Sequence, residues 1–405
     1  MKCLEESRID PMKSPILVPM SYPDITEEER QAVRAVLETP NLSMGPQIDA
    51  FEASIAEYVG AKHAIAVNSG TAGLHLCVRA AGIEQNDLVI TTPFSFVAST
   101  NVLLFEKAIP VFVDVDPATG NLRPELVEQA ILDLEKGGEA ARRWLPRKGA
   151  ETPGKVKAIL AVDVFGQPAD YDALRNIAEK YHLKLIEDSC ESLGAEYKGV
   201  KTGLFGDYGV FAFYPNKQIT TGEGGMIVTN DDKAANYMRA LRSQGRAPGD
   251  TWLQHTYLGY NYRLDDMSAA LGRVQMSRIE ELLRNRQQVA DWYAERIAEI
   301  RGVEVPGLVP DTTRISWFVY VVRFDTSLNR DAIAAQLNDS GIPVRPYFLP
   351  IHLQPYLVNQ FGFKPGDYPV TENLGNRGLA LPFSGRMTEI QVDLVCRKLQ
   401  DILRQ

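Results

Sequence analysis

One recurrence constrains this chain more than any other feature. Short apolar runs at 64–67, 87–90, 110–113, 158–162, 183–186, 208–213 and 226–228 alternate with stretches of helical periodicity. A run that is apolar at every position must be covered on both faces, and strands separated by helices return in the same direction. The pattern predicts an α/β fold in which a mostly parallel sheet is sandwiched by helices. Before it, Thr26 precedes Glu27-Glu28-Glu29 in a capping arrangement, and helical spacing continues to about residue 59. Residues 134–156 are polar and read as a surface insertion. A long helix from Asp266 to Ile300 is expected to close the large domain. Beyond it, Trp317 to Val322 reads as a strand and Arg330 to Ser340 as a helix, which suggests a small α+β domain. The expected organisation is an N-terminal arm (1–25, its first 14 residues loose), a large domain (26–265), and a linking helix with a small C-terminal domain (266–405).

At 405 residues the chain can bury a large core. A net charge of −9 argues against a nucleic-acid surface, which is usually basic. The four cysteines, Cys3, Cys77, Cys190 and Cys396, are scattered, so neither a disulfide framework nor a metal site is expected and a reducing cytoplasm fits. No apolar run reaches membrane-spanning length and no signal-peptide core is legible.

Four segments carry chemistry. Lys217 lies between an apolar strand and Thr220-Thr221-Gly222-Glu223-Gly224-Gly225. An amine in such a loop can form a Schiff base with a cofactor aldehyde, although most lysines are solvated surface charges. Asp188 ends an apolar run, where a carboxylate needs a partner; a protonated pyridine nitrogen is one, a structural salt bridge another. Ser69-Gly70-Thr71 stands where a loop meets a helix start, which favours an anion but is also an ordinary turn. Phe94 or Phe96, after the run at 87–90, could stack on a flat ring or fill the core.

Taken in order, these segments resemble the DegT-type (DnrJ/StrS) sugar aminotransferases, a branch of the fold-type I pyridoxal phosphate-dependent enzymes. The likeness extends through Val164-Phe165-Gly166-Gln167-Pro168-Ala169-Asp170, Gly259-Tyr260-Asn261-Tyr262-Arg263-Leu264 and Pro346-Tyr347-Phe348-Leu349-Pro350-Ile351-His352. It implies pyridoxal 5'-phosphate held on Lys217, with Asp188 at the ring nitrogen, Phe96 stacked on the ring, and Gly70 and Thr71 cradling the phosphate. Asn261 would reach the cofactor phosphate of a neighbouring subunit, making a homodimer with shared active sites. The implied reaction moves an amino group from an amino acid, glutamate by family habit, to a nucleotide-diphosphate-linked keto-deoxy sugar. Arg263, Arg345, Tyr347 and His352 are candidate substrate contacts, Arg345 foremost because Pro343 and Pro346 stiffen its loop; a salt bridge is the alternative for each.

Three positions depart from the usual pattern. Glu191 stands where Gln or His is common and is expected at the cofactor, near its phenolic oxygen; Ala212 stands where a phosphate-binding serine is common, and Phe318 where a histidine is frequent. A deoxygenating branch has histidine in place of the lysine, so Lys217 favours transamination. A cyclitol ketone is the alternative acceptor, and a non-catalytic regulator on the same fold is the alternative role.

Overall fold

The computed structural model describes residues 16–404. Residues 1–14, the part of the arm expected to be loose, lie outside the described residues. Residues 17–20 are tied to the small domain: Val18 is buried, Leu17 N donates to Gly341 O at 2.9 Å, and Phe383 N donates to Met20 O at 2.9 Å.

Seven strands form the large sheet: β1 (His63–Val67), β2 (Leu88–Thr91), β3 (Ile109–Phe112), β4 (Val156–Val162), β5 (Lys184–Asp188), β6 (Tyr208–Ala212) and β7 (Gly225–Thr229). Their order across the sheet is β1-β7-β6-β5-β4-β2-β3. Pairs from β6 to β3 are parallel, and β7 alone runs against its two neighbours. Alternate residues enter different layers, as the two-residue period of a strand demands. Ile65, Val89, Leu160, Ile186 and Val210 join one core, whereas Ala64, Leu88, Ile159, Leu185 and Phe211 face the opposite side. This is the helix-covered, mostly parallel sheet expected from the sequence. Because β1 shares the direction of the parallel strands, the segments after β1, β2, β5 and β6 all emerge at one edge, where ligands of such sheets bind.

The helical pattern at 26–59 is two helices, Glu27–Leu37 and Pro46–Val59, with the second starting at a proline. The expected long helix from Asp266 to Ile300 is also two, Asp266–Ser277 and Ile279–Ile297, broken at Arg278 (φ −110°, ψ 8°). The first packs with Ile48, Phe51 and Ile55 of the large domain, as do Ile279, Leu282 and Leu283 at the start of the second, whereas Val289, Tyr293 and Ile297 further along enter the small-domain core. Arg278 binds Glu29 (2.9 Å) and Asp24 (3.3 Å) at the break.

The small domain carries a four-stranded antiparallel sheet, ordered β8 (Val303–Glu304), β9 (Tyr320–Phe324), β11 (Gly378–Leu381) and β10 (Arg345–Pro346). Helices Arg330–Asp339 and Glu389–Leu403 cover it. Strand β9 begins at Tyr320 and not at Trp317, because the carbonyls of Trp317 and Phe318 accept from the Arg286 guanidinium instead of joining the ladder. The approach to β9 crosses the large domain at Gly166 (φ 90°), where Ser316 N donates to Gly166 O at 2.8 Å. A side chain at 166 would collide with the Ser316 carbonyl, so the glycine answers to this crossing.

Candidate active site

Lys217 sits in a loop that closes on itself after β6. Thr220 Oγ1 and Thr221 N both donate to Phe213 O at 3.0 Å, Thr221 Oγ1 donates to Glu223 O at 2.7 Å, and Gly222 takes a positive φ of 81°. The loop turns the lysine inward, leaving its side chain 12% exposed. Its Nζ lies 3.6 Å from Glu191 Oε1 and 3.8 Å from the centre of the Phe318 ring. The surface reading of this lysine is thereby excluded, and Phe318 becomes part of the site.

Asp188 and Glu191 come from the end of β5 and the turn after it. Asp188 Oδ1 accepts from Cys190 N at 3.3 Å, and burial raises its affinity for a proton while the nearby Lys217 charge opposes this. Glu191 Oε2 accepts from Phe165 N at 3.0 Å, and its pKa is likewise raised by burial against the pull of Lys217. The turn holding both is organised by a residue that no motif flagged. Asp163 is fully buried and accepts from Tyr171 OH (2.6 Å), Ser189 Oγ (2.7 Å), Ser192 Oγ (2.7 Å) and Ala169 N (3.0 Å). Burial still pushes its pKa up to about 6. The apolar run before Asp163 signalled a strand end, but a hub is visible only once the fold brings its donors together.

The helix Gly70–Ala80 starts against these same strand ends. A Cβ at Gly70 would lie 2.8 Å from both Ala212 Cβ and Cys190 Sγ, and one at Gly225 would lie 2.7 Å from Gly70 N. Glycine at both positions lets the helix start this close to Asp188 and β7. Ser69 caps the helix by accepting from Ala72 N at 3.1 Å, and Thr71 is half-buried in the first turn.

Of the two aromatics after β2, Phe94 is core, packed on Phe165 and Phe348, whereas Phe96 is 65% exposed. Tyr347 is half-buried with its ring 6.4 Å from that of Phe318; burial pushes its phenol up to about 12, with Glu191 and Arg345 close enough to act on it. Arg345 is exposed on β10. Asn261 is exposed and bridges Ser243, and Arg263 reaches Ser243 and Gln244. Neither bonds to Lys217, Asp188 or Glu191. His352 differs most from expectation: it is fully buried, bonded to Glu372 at 3.0 Å and stacked edge-on against Tyr368. That is a core histidine with no face toward a substrate.

These residues fit pyridoxal phosphate. A buried carboxylate whose described hydrogen-bond donors all come from Cys190 can hold a cationic ring nitrogen, an inward amine can take the aldehyde, and a glycine-started helix can hold the phosphate. A mostly parallel sheet with this site at its edge is the architecture of the fold-type I pyridoxal phosphate-dependent aminotransferases, to which the chain's structural neighbours belong. The model of the DegT/DnrJ/EryC1/StrS aminotransferase family matches residues 23–400, and the chain belongs to that family. It is 36% identical over 389 residues to the GDP-perosamine synthase of Caulobacter vibrioides, covering 95% of this chain and 98% of that one. It is 34% identical over 400 residues to the spore coat polysaccharide biosynthesis protein SpsC of Bacillus subtilis, covering 96% and 97%. The crystal structure of a DegT DnrJ EryC1 StrS aminotransferase from Brucella abortus superposes with a TM-score of 0.83 at 32% identity, covering 93% of this chain and 95% of the other. No helix among the described residues is long and apolar enough to cross a membrane.

Proposed function

We propose that this aminotransferase takes its amino group from glutamate and delivers it to a nucleotide-diphosphate-linked keto-deoxy sugar, working in the cytoplasm as a homodimer with shared sites. The observation that carries the reading is the inward Lys217 amine between Glu191 and Phe318, beside the Asp188 strand end. Similarity to a GDP-perosamine synthase supports a nucleotide-sugar acceptor. When bound, pyridoxal phosphate supplies the carbonyl that accepts and returns the amino group and a ring that stabilises developing negative charge.

The chain's residues do the rest. Asp188 would keep the ring nitrogen protonated, and the N–H groups at Gly70 and Thr71 would hold the phosphate. Phe96 would cover one ring face, and Asn261 would reach across to the other subunit. Lys217 Nζ would carry the proton to and from the substrate carbon, with Glu191 as counter-charge while the amine is cationic. Arg345 and Tyr347 would contact the nucleotide sugar. His352 is left out because it is sealed in the core.

Purified protein supplied with pyridoxal phosphate should gain a visible absorption band, and borohydride should fix the cofactor to Lys217, seen as a mass increment on its peptide. With glutamate it should aminate nucleotide-linked keto-deoxy sugars in preference to keto-inositols. A preference for keto-inositols would establish a cyclitol enzyme. Bound cofactor without either half-reaction would establish a regulator.

A further inference from the structure

Arg286 lies in the helix Ile279–Ile297, is 6% exposed, and makes no ion pair within 4.0 Å among the described residues, Asp24 acting on it only from further away. Its guanidinium is instead satisfied by four main-chain carbonyls. Nη1 donates to Trp317 O (3.2 Å) and Phe318 O (3.3 Å); Nη2 donates to Asn216 O (3.1 Å) and to Lys217 O. One pair belongs to the lysine loop of the large domain and the other to the chain entering β9 of the small domain. Gln218 makes a parallel tie, its Nε2 donating to Glu191 O (2.5 Å) and Ser316 O (2.9 Å). Burying a cation without a directly paired anion is unfavourable, and an apolar side chain would serve packing alone better. Such a fork satisfies several carbonyls in fixed geometry, which a lysine cannot.

We propose that Arg286 is a positioning residue for Lys217: by holding the peptide that bears the amine and the peptide that bears Phe318 at a fixed separation, it sets the amine between the Glu191 carboxylate and the Phe318 ring. This inference rests on the function proposed above. Without the fork the loop is still closed by Thr220 and Thr221, so the protein folds and binds cofactor, but Nζ is no longer held where the proton must move. A misplacement of about 1 Å in such a group can reduce a rate about 100-fold.

The test compares Arg286→Met and Arg286→Lys with Arg323→Met. Arg323 is another buried arginine bridging the two domains through carbonyls, those of Pro117 and Ala118, away from the lysine loop. All three variants should lose thermal stability. Both Arg286 variants should also show a cofactor absorption band whose pH midpoint moves by about one unit, and Arg286→Met a kcat lower by about 100-fold with KM for the amino donor within about 3-fold. Arg323→Met should keep the wild-type band and kcat. Wild-type titration and kcat in Arg286→Met, or identical behaviour of Arg286→Met and Arg323→Met, overturns the inference. Should Arg286→Met not fold, Arg286→Lys decides alone: an unmoved band midpoint in it overturns the inference. Absence of any band in the wild-type protein would instead overturn the proposed function.

Discussion

At the scale of single residues, the site is a set of buried charges held by different means. Lys217 has a carboxylate and an aromatic face, Asp188 the groups of Cys190, and Asp163 four hydrogen-bond donors. Removing the amine removes the proton carrier, so Lys217→Ala should reduce turnover by about 10²- to 10⁴-fold or more and abolish borohydride trapping. Asp163 gives a pH signature. Its folded pKa of about 6 lies above the ordinary carboxyl value of 3.8, so the stability it contributes is full below pH 3.8 and is lost as pH rises through about 6. Asp163→Asn should flatten that part of the profile; urea unfolding midpoints at pH 4.5 and 7 check it, and an unchanged slope would refute it. The burial of Lys217 and Asp188 at the sheet edge was legible in the sequence because one follows an apolar run, the other ends one, and each stands in a motif. Asp163 and Arg286 were not, because donors and carbonyls far apart in sequence define them. His352 misled because a motif histidine looks the same whether it faces a cleft or Tyr368.

At the scale of elements, the helix Gly70–Ala80 shows how backbone proximity is obtained. Its start touches β6 and β7 without room for a methyl group, so Gly225→Ala should be felt at the helix N-terminus through Gly70 N. Overpacking of this kind destabilises by about 1–3 kcal/mol. We expect that loss in denaturant unfolding, with a weaker affinity for pyridoxal phosphate. Ser69→Ala removes only the cap and should destabilise by about 1 kcal/mol. If Gly225→Ala binds cofactor as tightly as wild type, the helix start does not serve the phosphate. Strand positions were readable at this scale because runs apolar on both faces have few alternatives. The break at Arg278 was not, since the helical period continues through it and only the backbone turn there, with the ties of Arg278 to Glu29 and Asp24, shows it.

At the scale of the molecule, the two domains meet at the amine: Glu191 reaches it from the large domain and Phe318 from the segment that enters the small one. The proposed dimer adds a third contributor, Asn261 from a second copy. Each site would then need Lys217 from one chain and Asn261 from the other. Mixing inactive Lys217→Ala with inactive Asn261→Ala, after dissociation and reassociation, should restore about a quarter of wild-type activity, because half the dimers are mixed and each mixed dimer holds one intact site. No recovery, with subunit exchange verified by mass, would remove Asn261 from the shared site. This part of the architecture was expected from family likeness alone, since an exposed asparagine carries no physical mark of the surface it meets.

The crossing of Ser316 over Gly166 bears on recombination. Two backbones touch there with no side chain between them, and Gln218 and Arg286 tie the same stretch to the lysine loop. A chimera that borrowed its C-terminal half from a relative should therefore be spliced after residue 318. A junction further upstream would import a foreign strap across the catalytic loop, and the graft would inherit the donor's alignment of the amine along with its specificity.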